Sequence, residues 1–332
     1  MDITAFSPGL IIVLLLVLAA EFVNGWTDAP NAIATVVSTR VLSPKWAILM
    51  ATLLNIAGTL SGTAVAATIG KGIVEAASIN LITIGAAMVA IVTWSTVAWR
   101  FGLPTSETHA LVSGLAGAGL ATAGPGVLLW EGWQKVLIGL AFSTLLGFFG
   151  GAIIIIAIYQ IFKNSNPTTV RKIFGKLQIL SAAFMAFGHG SNDGQKFIGA
   201  FCLALVLGGA MPEFTVPWEV MILCSVVMGI GTSVGGWRII KTMGMKMVKL
   251  ETYQGFAAET GAAVAIQIAS NLGIPLSTTH TISTSIMGVG SAKRVSAVRW
   301  GVVREVVLAW ILTFPICGGI AWLISILLNA AF

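Results

Sequence analysis

Apolar stretches close to the ~20 residues that a helix needs to cross a bilayer follow one another along almost all of this 332-residue chain. They lie at 8–39, 46–69, 80–100, 105–123, 133–162, 177–210, 219–238, 253–271, 275–290 and 300–328. Their periods are helical and no two-residue alternation appears, which excludes a β-barrel. Charged residues make up only 9% of the chain, whereas a soluble domain needs roughly a quarter to cover its surface. A soluble enzyme, a nucleic-acid binder and a disordered chain are therefore all excluded. The net charge of +6 could suggest nucleic acid, but in so apolar a chain excess Lys and Arg mark membrane-flanking loops. The predicted class is an all-α polytopic membrane protein whose surroundings are the lipid bilayer. The apolar N-terminus reads as a first membrane helix, because no basic region precedes it and no small-residue cleavage site follows. Cys202, Cys224 and Cys317 lie in apolar stretches without CxxC or CxxH spacing and read as small core side chains.

Basic residues are unevenly shared among the loops. Arg40 and Lys45 flank one; Lys163, Arg171, Lys172 and Lys176 fill another; Arg238, Lys241, Lys246 and Lys249 crowd a third; Lys293, Arg294 and Arg299 a fourth. The intervening loops carry Glu75, Glu131, Glu213 and Glu219 against Lys71 and Lys135. The positive-inside rule assigns the first group to the cytoplasm. Ten crossings then alternate without conflict in the cell membrane, with both termini outside. Charge parity does not distinguish a re-entrant hairpin from two full crossings.

The chain also repeats itself. Asn24-Gly-Trp-Thr-Asp28-Ala-Pro-Asn31 matches His189-Gly-Ser-Asn192-Asp193-Gly-Gln-Lys196 at an offset of 165 residues. Gly102-Leu-Pro-Thr-Ser-Glu-Thr-His109 matches Gly273-Ile-Pro-Leu-Ser-Thr-Thr-His280 at an offset of 171. The predicted organisation is a first repeat over 1–162, a short basic cytoplasmic linker at 163–176, and a second repeat over 177–332. Five segments per half is an odd number, so the second half is expected upside down. Inverted repeats of this kind are a transporter architecture with a site near the midplane.

Asp28 and Asp193 each fall midway through an apolar run, where a charge costs several kcal/mol. Gly25 and Pro30 in one half, and Gly188, Gly190 and Gly194 in the other, predict broken helices there. Unwound backbone at membrane depth is tolerated only when it is buried in protein or lines a cavity. The alternative, a pair of capping aspartates, is weakened by their duplication. The Gly-x-Pro-x-Ser-x-Thr-His motifs read as helix starts, stopped upstream by Pro104 and Pro275 and supplied with N-cap residues at Thr105, Ser106, Ser277 and Thr278. Free first-turn amides, with the Ser106, Thr108, Ser277 and Thr279 hydroxyls, would make a pocket for a tetrahedral oxyanion. Re-entrant hairpins place these termini near the midplane and are preferred to full crossings.

Other candidates have weaker signals. His109 and His280 suit hydrogen-bonding structural roles, whereas His189 can titrate or donate to an anion. Lys196 has three open roles: neutralising Asp193, touching substrate, or snorkelling to an interface. Glu259 reads equally as a cation site or a buried pair, and Asn55 as a weaker cation ligand. Glu107 and Arg100 are expected to pair with each other, and Glu21 is unassigned. Asp28, Asn31, Asn192 and Asp193 form the hard-oxygen set that would suit Na⁺, which is preferred modestly to H⁺.

At these motifs the sequence resembles the inorganic phosphate transporter (PiT) family, in its compact bacterial form. The family's duplicated Gly-x-Asn-Asp-x-x-Asn-Ala signature is similar to Gly25-Trp-Thr-Asp28-Ala-Pro-Asn31-Ala32 and to Gly190-Ser-Asn192-Asp193-Gly-Gln-Lys196. Thr27 replaces the first Asn of copy one, and Gln195-Lys196 the usual Ala-Asn of copy two. The resemblance implies symport of inorganic phosphate with Na⁺ or H⁺ and no resident cofactor. By family analogy it also implies a PhoU-like cytoplasmic regulatory protein as a partner; a homodimer is a separate expectation. The alternatives are a permease for sulfate, an intramembrane hydrolase with Asp28 and Asp193 as a catalytic dyad, and a channel. No GxxxxGK[ST] sequence occurs, so ATP does not power transport from within this chain.

Overall fold

The computed structural model describes residues 6–331. Among them, helix is the only regular element apart from one antiparallel bridge between Val74 and Leu128. Helix α1 (Pro8–Thr27) starts on a Ser7 cap with Pro8 at its first position, where a missing N–H costs nothing. It gives way to a 3₁₀ turn, Ala29–Ala32, and a short α2 (Ala34–Ser38). The expected break at Pro30 is thus present. Helices α3 (Pro44–Thr59) and α4 (Ala64–Gly72) meet at a 66° bend. Then come α5 (Leu81–Phe101), α6 (Glu107–Ala123) and the long α7 (Trp130–Ile161).

The same order returns in α8 (Pro167–His189), α9 (Gln195–Leu207), α10 (Trp218–Val234), α11 (Trp237–Lys241), α12 (Thr252–Asn271), α13 (Thr278–Lys293) and α14 (Trp300–Ala331). Helix α10 and the segment Trp237–Lys246 again meet at a bend, of 60°. One expectation is corrected. The Gly188–Gly194 stretch is not unwound: α8 runs into α9 through a π turn, Gly190–Gly194, whose flanking residues keep helical dihedrals. A π turn absorbs an extra residue without breaking the helix and turns side chains inward at functional sites.

Among the described residues, four helical spans are long and apolar enough to cross a membrane unaided: Pro8–Ala32, Leu81–Phe101, Trp130–Ile161 and Trp300–Ala331. The two bent pairs qualify when each is taken as one span. This is a membrane-embedded helical protein.

Helices α5 and α6 form a hairpin. Their far ends lie side by side, with Glu75 N–H donating to the Val127 carbonyl at 2.9 Å. Helices α12 and α13 form a second hairpin, closed at its base where Arg299 N–H donates to the Met247 carbonyl at 3.1 Å. Gly102 and Gly273 end α5 and α12 at φ +70° and +65°, a region open to glycine at little cost. The two tips touch: the Thr108 hydroxyl donates to the Leu276 carbonyl at 2.7 Å.

The long helices are exchanged. Helix α7 of the first half packs on α12 and α13, and α14 of the second half on α5 and α6. Small residues permit that approach, as at other membrane-helix contacts; a Cβ on Gly117 would lie 2.1 Å from the Gly318 carbonyl oxygen. Two apolar cores result, each mixing residues from both halves.

Candidate functional site

The hairpin tips converge on the two irregular turns. Asp28 caps the end of α1, and Thr279, from the first turn of α13, donates to its Oδ1. Asn31 Nδ2 donates to the same oxygen and lies 3.0 Å from Thr279 Oγ1. Asp193 sits in the π turn. Its Oδ2 accepts from Thr278 Oγ1 at 2.5 Å and lies 3.2 Å from His189 Nε2, while its Oδ1 accepts from Lys196. Lys196 also donates to Thr108 Oγ1 at 2.5 Å and to the Leu276 carbonyl at 2.8 Å. The ligand atoms of Asp28, His189 and Asp193 all lie within 4.8 Å of one another. Every one of these side chains is buried.

The sequence-predicted residues therefore divide. Asp28, Asn31, Asp193, Lys196, His189, Thr108, Thr278 and Thr279 come together. Of the three roles open to Lys196, contact with Asp193 is the one observed, and snorkelling is ruled out by its complete burial. Ser106 and Ser277 act as N-caps, accepting from the His109 and His280 amides at 3.3 and 3.2 Å. Asn55 joins from one side, its Oδ1 3.0 Å from His189 Nδ1, and its Nδ2 donates to Thr232 Oγ1 at 3.3 Å.

Glu259 stands in its own cluster, accepting from Thr35, Ser181 and, at 3.2 Å, Gln178. Glu107 is not paired with Arg100 as expected. Its Oε1 accepts from Thr27 Oγ1 at 3.0 Å, because α6 enters buried while Arg100 ends α5 exposed. Glu21 accepts from Asn24 at 3.1 Å. His109 and His280 meet edge to face at 4.5 Å, and His280 stacks on Trp310 at 3.7 Å. Sequence reasoning missed the Leu276 carbonyl, which has no side-chain signature. It also missed Gln178 and Ser181, whose i, i+3 spacing on α8 was a usable signal.

Two buried amide oxygens stand out near these turns. Asn192 Nδ2 is occupied by Ser270 Oγ at 3.0 Å and the Ile274 carbonyl at 3.2 Å, but Asn192 Oδ1 has no partner among the described residues. Asn31 Oδ1 is likewise buried and unmatched. Buried acceptors without donors are costly, and amide and carboxylate oxygens are ligands of the kind alkali and alkaline-earth ions take.

The model of the phosphate transporter family matches residues 24–321. The chain belongs to that family. It is 43% identical over 317 residues to a probable low-affinity inorganic phosphate transporter of Rhizobium meliloti, covering 95% of both chains. It is 38% identical to a protein of the same description from Bacillus subtilis, covering 97% of this chain and 98% of the relative. Among solved structures it superposes on one titled the sodium-dependent phosphate transporter, with a TM-score of 0.88 at 23% identity over 98% of this chain and 100% of the other. That likeness gives the fold. With relatives described as transporters, the hydrolase reading is set aside: the chain is not an enzyme.

Proposed function

We propose that this member of the phosphate transporter family is a secondary symporter. It moves inorganic phosphate with a cation by alternating access around the Asp28–Asp193 cluster. The observation that carries the reading is one hairpin tip holding both buried carboxylates, Thr279 on Asp28 and Thr278 on Asp193, while Thr108 of the other tip meets Lys196. Doubly ionised phosphate added to Asp28 and Asp193 brings four negative charges together. Lys196 supplies one positive charge, and two helix N-termini about half each. The remaining deficit of about two charges is too much for a low-dielectric site to hold. Bound Na⁺ at Asp28, Asn31, Asn192 and Asp193 answers it, so anion entry depends on the cation.

Several features belong to the same reading: inverted repeats joined at 163–176, re-entrant hairpins, both termini outside, and phosphate received by the Ser106, Thr108, Ser277, Thr278 and Thr279 termini. The recurring element order, the reciprocal bends and the basic loops support it. A homodimer, and the PhoU-like regulator that the resemblance implies, are expectations checked by mass photometry and co-purification. Sulfate is the second reading in class. Phosphate is favoured because a partly protonated anion tolerates the neighbouring carboxylates better than a fully ionised one. The test is uptake of labelled phosphate into proteoliposomes under an imposed Na⁺ or H⁺ gradient with sulfate as competitor. Accumulation driven by Na⁺ and indifferent to sulfate is expected; accumulation without either gradient would refute symport.

A further inference from the structure

On one side of the closed cluster the protein is hollow. A cavity of about 370 Å³ is lined by Ala64, Ser191, Gln195, Gln267, Ser270 and Asn271. It adjoins a wider one of about 550 Å³ that shares Ala64 and Asn271 and carries Lys71, Lys135, Gln134 and Glu131. Ser270 links cavity and site, since its hydroxyl oxygen accepts from Asn192 next to Asp193. Lys71 and Lys135 form no ion pair among the described residues. Lys71 instead lies over the Phe214 ring at 5.2 Å, and Lys135 reaches Thr68 Oγ1 at 3.4 Å.

The residues in corresponding places on the other side are larger. Thr242 holds the Gly102 carbonyl at 2.9 Å as Thr68 holds that of Gly273 at 2.7 Å, so the frameworks correspond. Where the hollow side has Ser191, Ser270 and Ala64, the opposite side has Trp26, Trp99 and Arg238. The indoles of Trp26 and Trp99 are 4.3 Å apart, and the Arg238 guanidinium covers Trp99 at 4.7 Å while donating to the Arg100 carbonyl. One approach is plugged by large side chains, and the other, Phe187 apart, is lined mostly with hydroxyls and amides.

We infer that the Lys71–Lys135 vestibule, with its Ser191–Gln195–Asn271 neck, is a staging site. It concentrates a free inorganic oxyanion before that anion enters the Asp28–Asp193 cluster. The inference rests on the phosphate-symport reading above. Two lysines against one glutamate leave the mouth net positive, and a positive cleft with low-dielectric walls raises the local anion concentration and the on-rate. The neck offers neutral donors, which bind an anion weakly enough to release it inward. The cluster itself holds two carboxylates, so an anion arriving unaided would be repelled. The lysines offset that repulsion at the mouth, before any cation has bound.

The experiment is phosphate uptake by reconstituted full-length protein, comparing wild type with Lys71→Gln/Lys135→Gln at about 20 mM and about 500 mM salt. Screening shortens the reach of surface charge to a few ångströms at the higher value. The expected result is a KM raised about threefold to tenfold at low salt, a maximal rate within about twofold of wild type, and convergence of the two KM values at high salt. In parallel, Asn271→Cys in a chain whose Cys202, Cys224 and Cys317 are serine is labelled with a sulfonate-bearing thiol reagent. Phosphate is expected to slow labelling, and chloride at equal ionic strength is not. If wild type accumulates phosphate normally but the KM is unchanged and Asn271→Cys is unprotected, the staging site is wrong and the symport reading stands. If wild type accumulates no phosphate under any gradient, the symport reading fails first.

Discussion

Lys196 is fully buried, and its amine has three partners: the Asp193 carboxylate, Thr108 Oγ1 and the Leu276 carbonyl. Lys196→Met keeps the length of the side chain and deletes only the charge and its donors. The Leu276 carbonyl retains the Thr108 hydroxyl at 2.7 Å, so little is lost there. Asp193 retains Thr278 and His189 but loses its fixed positive neighbour. Breaking one side of a buried pair costs about 3–5 kcal/mol, because a buried charge is left uncompensated. The two surviving contacts to Asp193 place this site near 3. Asp193→Asn alone leaves the Lys196 ammonium stranded, at a similar cost. In Lys196→Met/Asp193→Asn neither charge remains, so the double variant should be more stable than the sum of the singles by about 2–3 kcal/mol. Reversible unfolding in mixed detergent–SDS micelles, followed by the fluorescence of the 11 tryptophans, measures all four corners of the cycle. Additive single losses, with coupling below about 0.5 kcal/mol, would refute the view of Lys196 as the charge partner of Asp193.

Asp28→Asn and Asp193→Asn should each abolish Na⁺-driven phosphate accumulation in proteoliposomes while the protein stays monodisperse on size exclusion; normal ion dependence in either would make that aspartate a structural cap. Ser277→Ala/Thr279→Ala removes a cap and an aspartate-bound donor, each worth about 1 kcal/mol, and should weaken phosphate binding in calorimetry by roughly tenfold or more. A cysteine at Asn164, in a background without the native cysteines, should resist an impermeant thiol reagent on intact cells and react after permeabilisation. Gly117→Ala drives a Cβ to 2.1 Å from the Gly318 carbonyl, so α6 and α14 must separate, and a loss of about 1–3 kcal/mol in the same unfolding assay is expected.

Much of this was legible because membrane helices advertise themselves by length and apolarity. The ten predicted segments each find a helix or a bent pair of helices, and the two aspartates and both Pro-x-Ser-x-Thr motifs do converge. What escaped depends on geometry that composition does not carry. The glycines around Asp193 read as a break, yet a π turn spends the same residues without losing the helix. Glu107 beside Arg100 read as a local pair, but the chain turns at Gly102 and sends one side chain inward and the other out. The exchange of α7 and α14 was invisible because every helix face in such a chain is apolar, so no stripe names its partner.

That exchange has a consequence for how the protein is made. The ribosome delivers α5 and α6 long before α14, the helix that covers them, is synthesised. Until then, the groove at Gly117 faces lipid or another chain. The first half is thus a committed but unfinished body, and the nascent chain passes through a long interval in which two copies could trade their last helices. A gene cut at the 163–176 linker would yield halves that must find one another before either is complete.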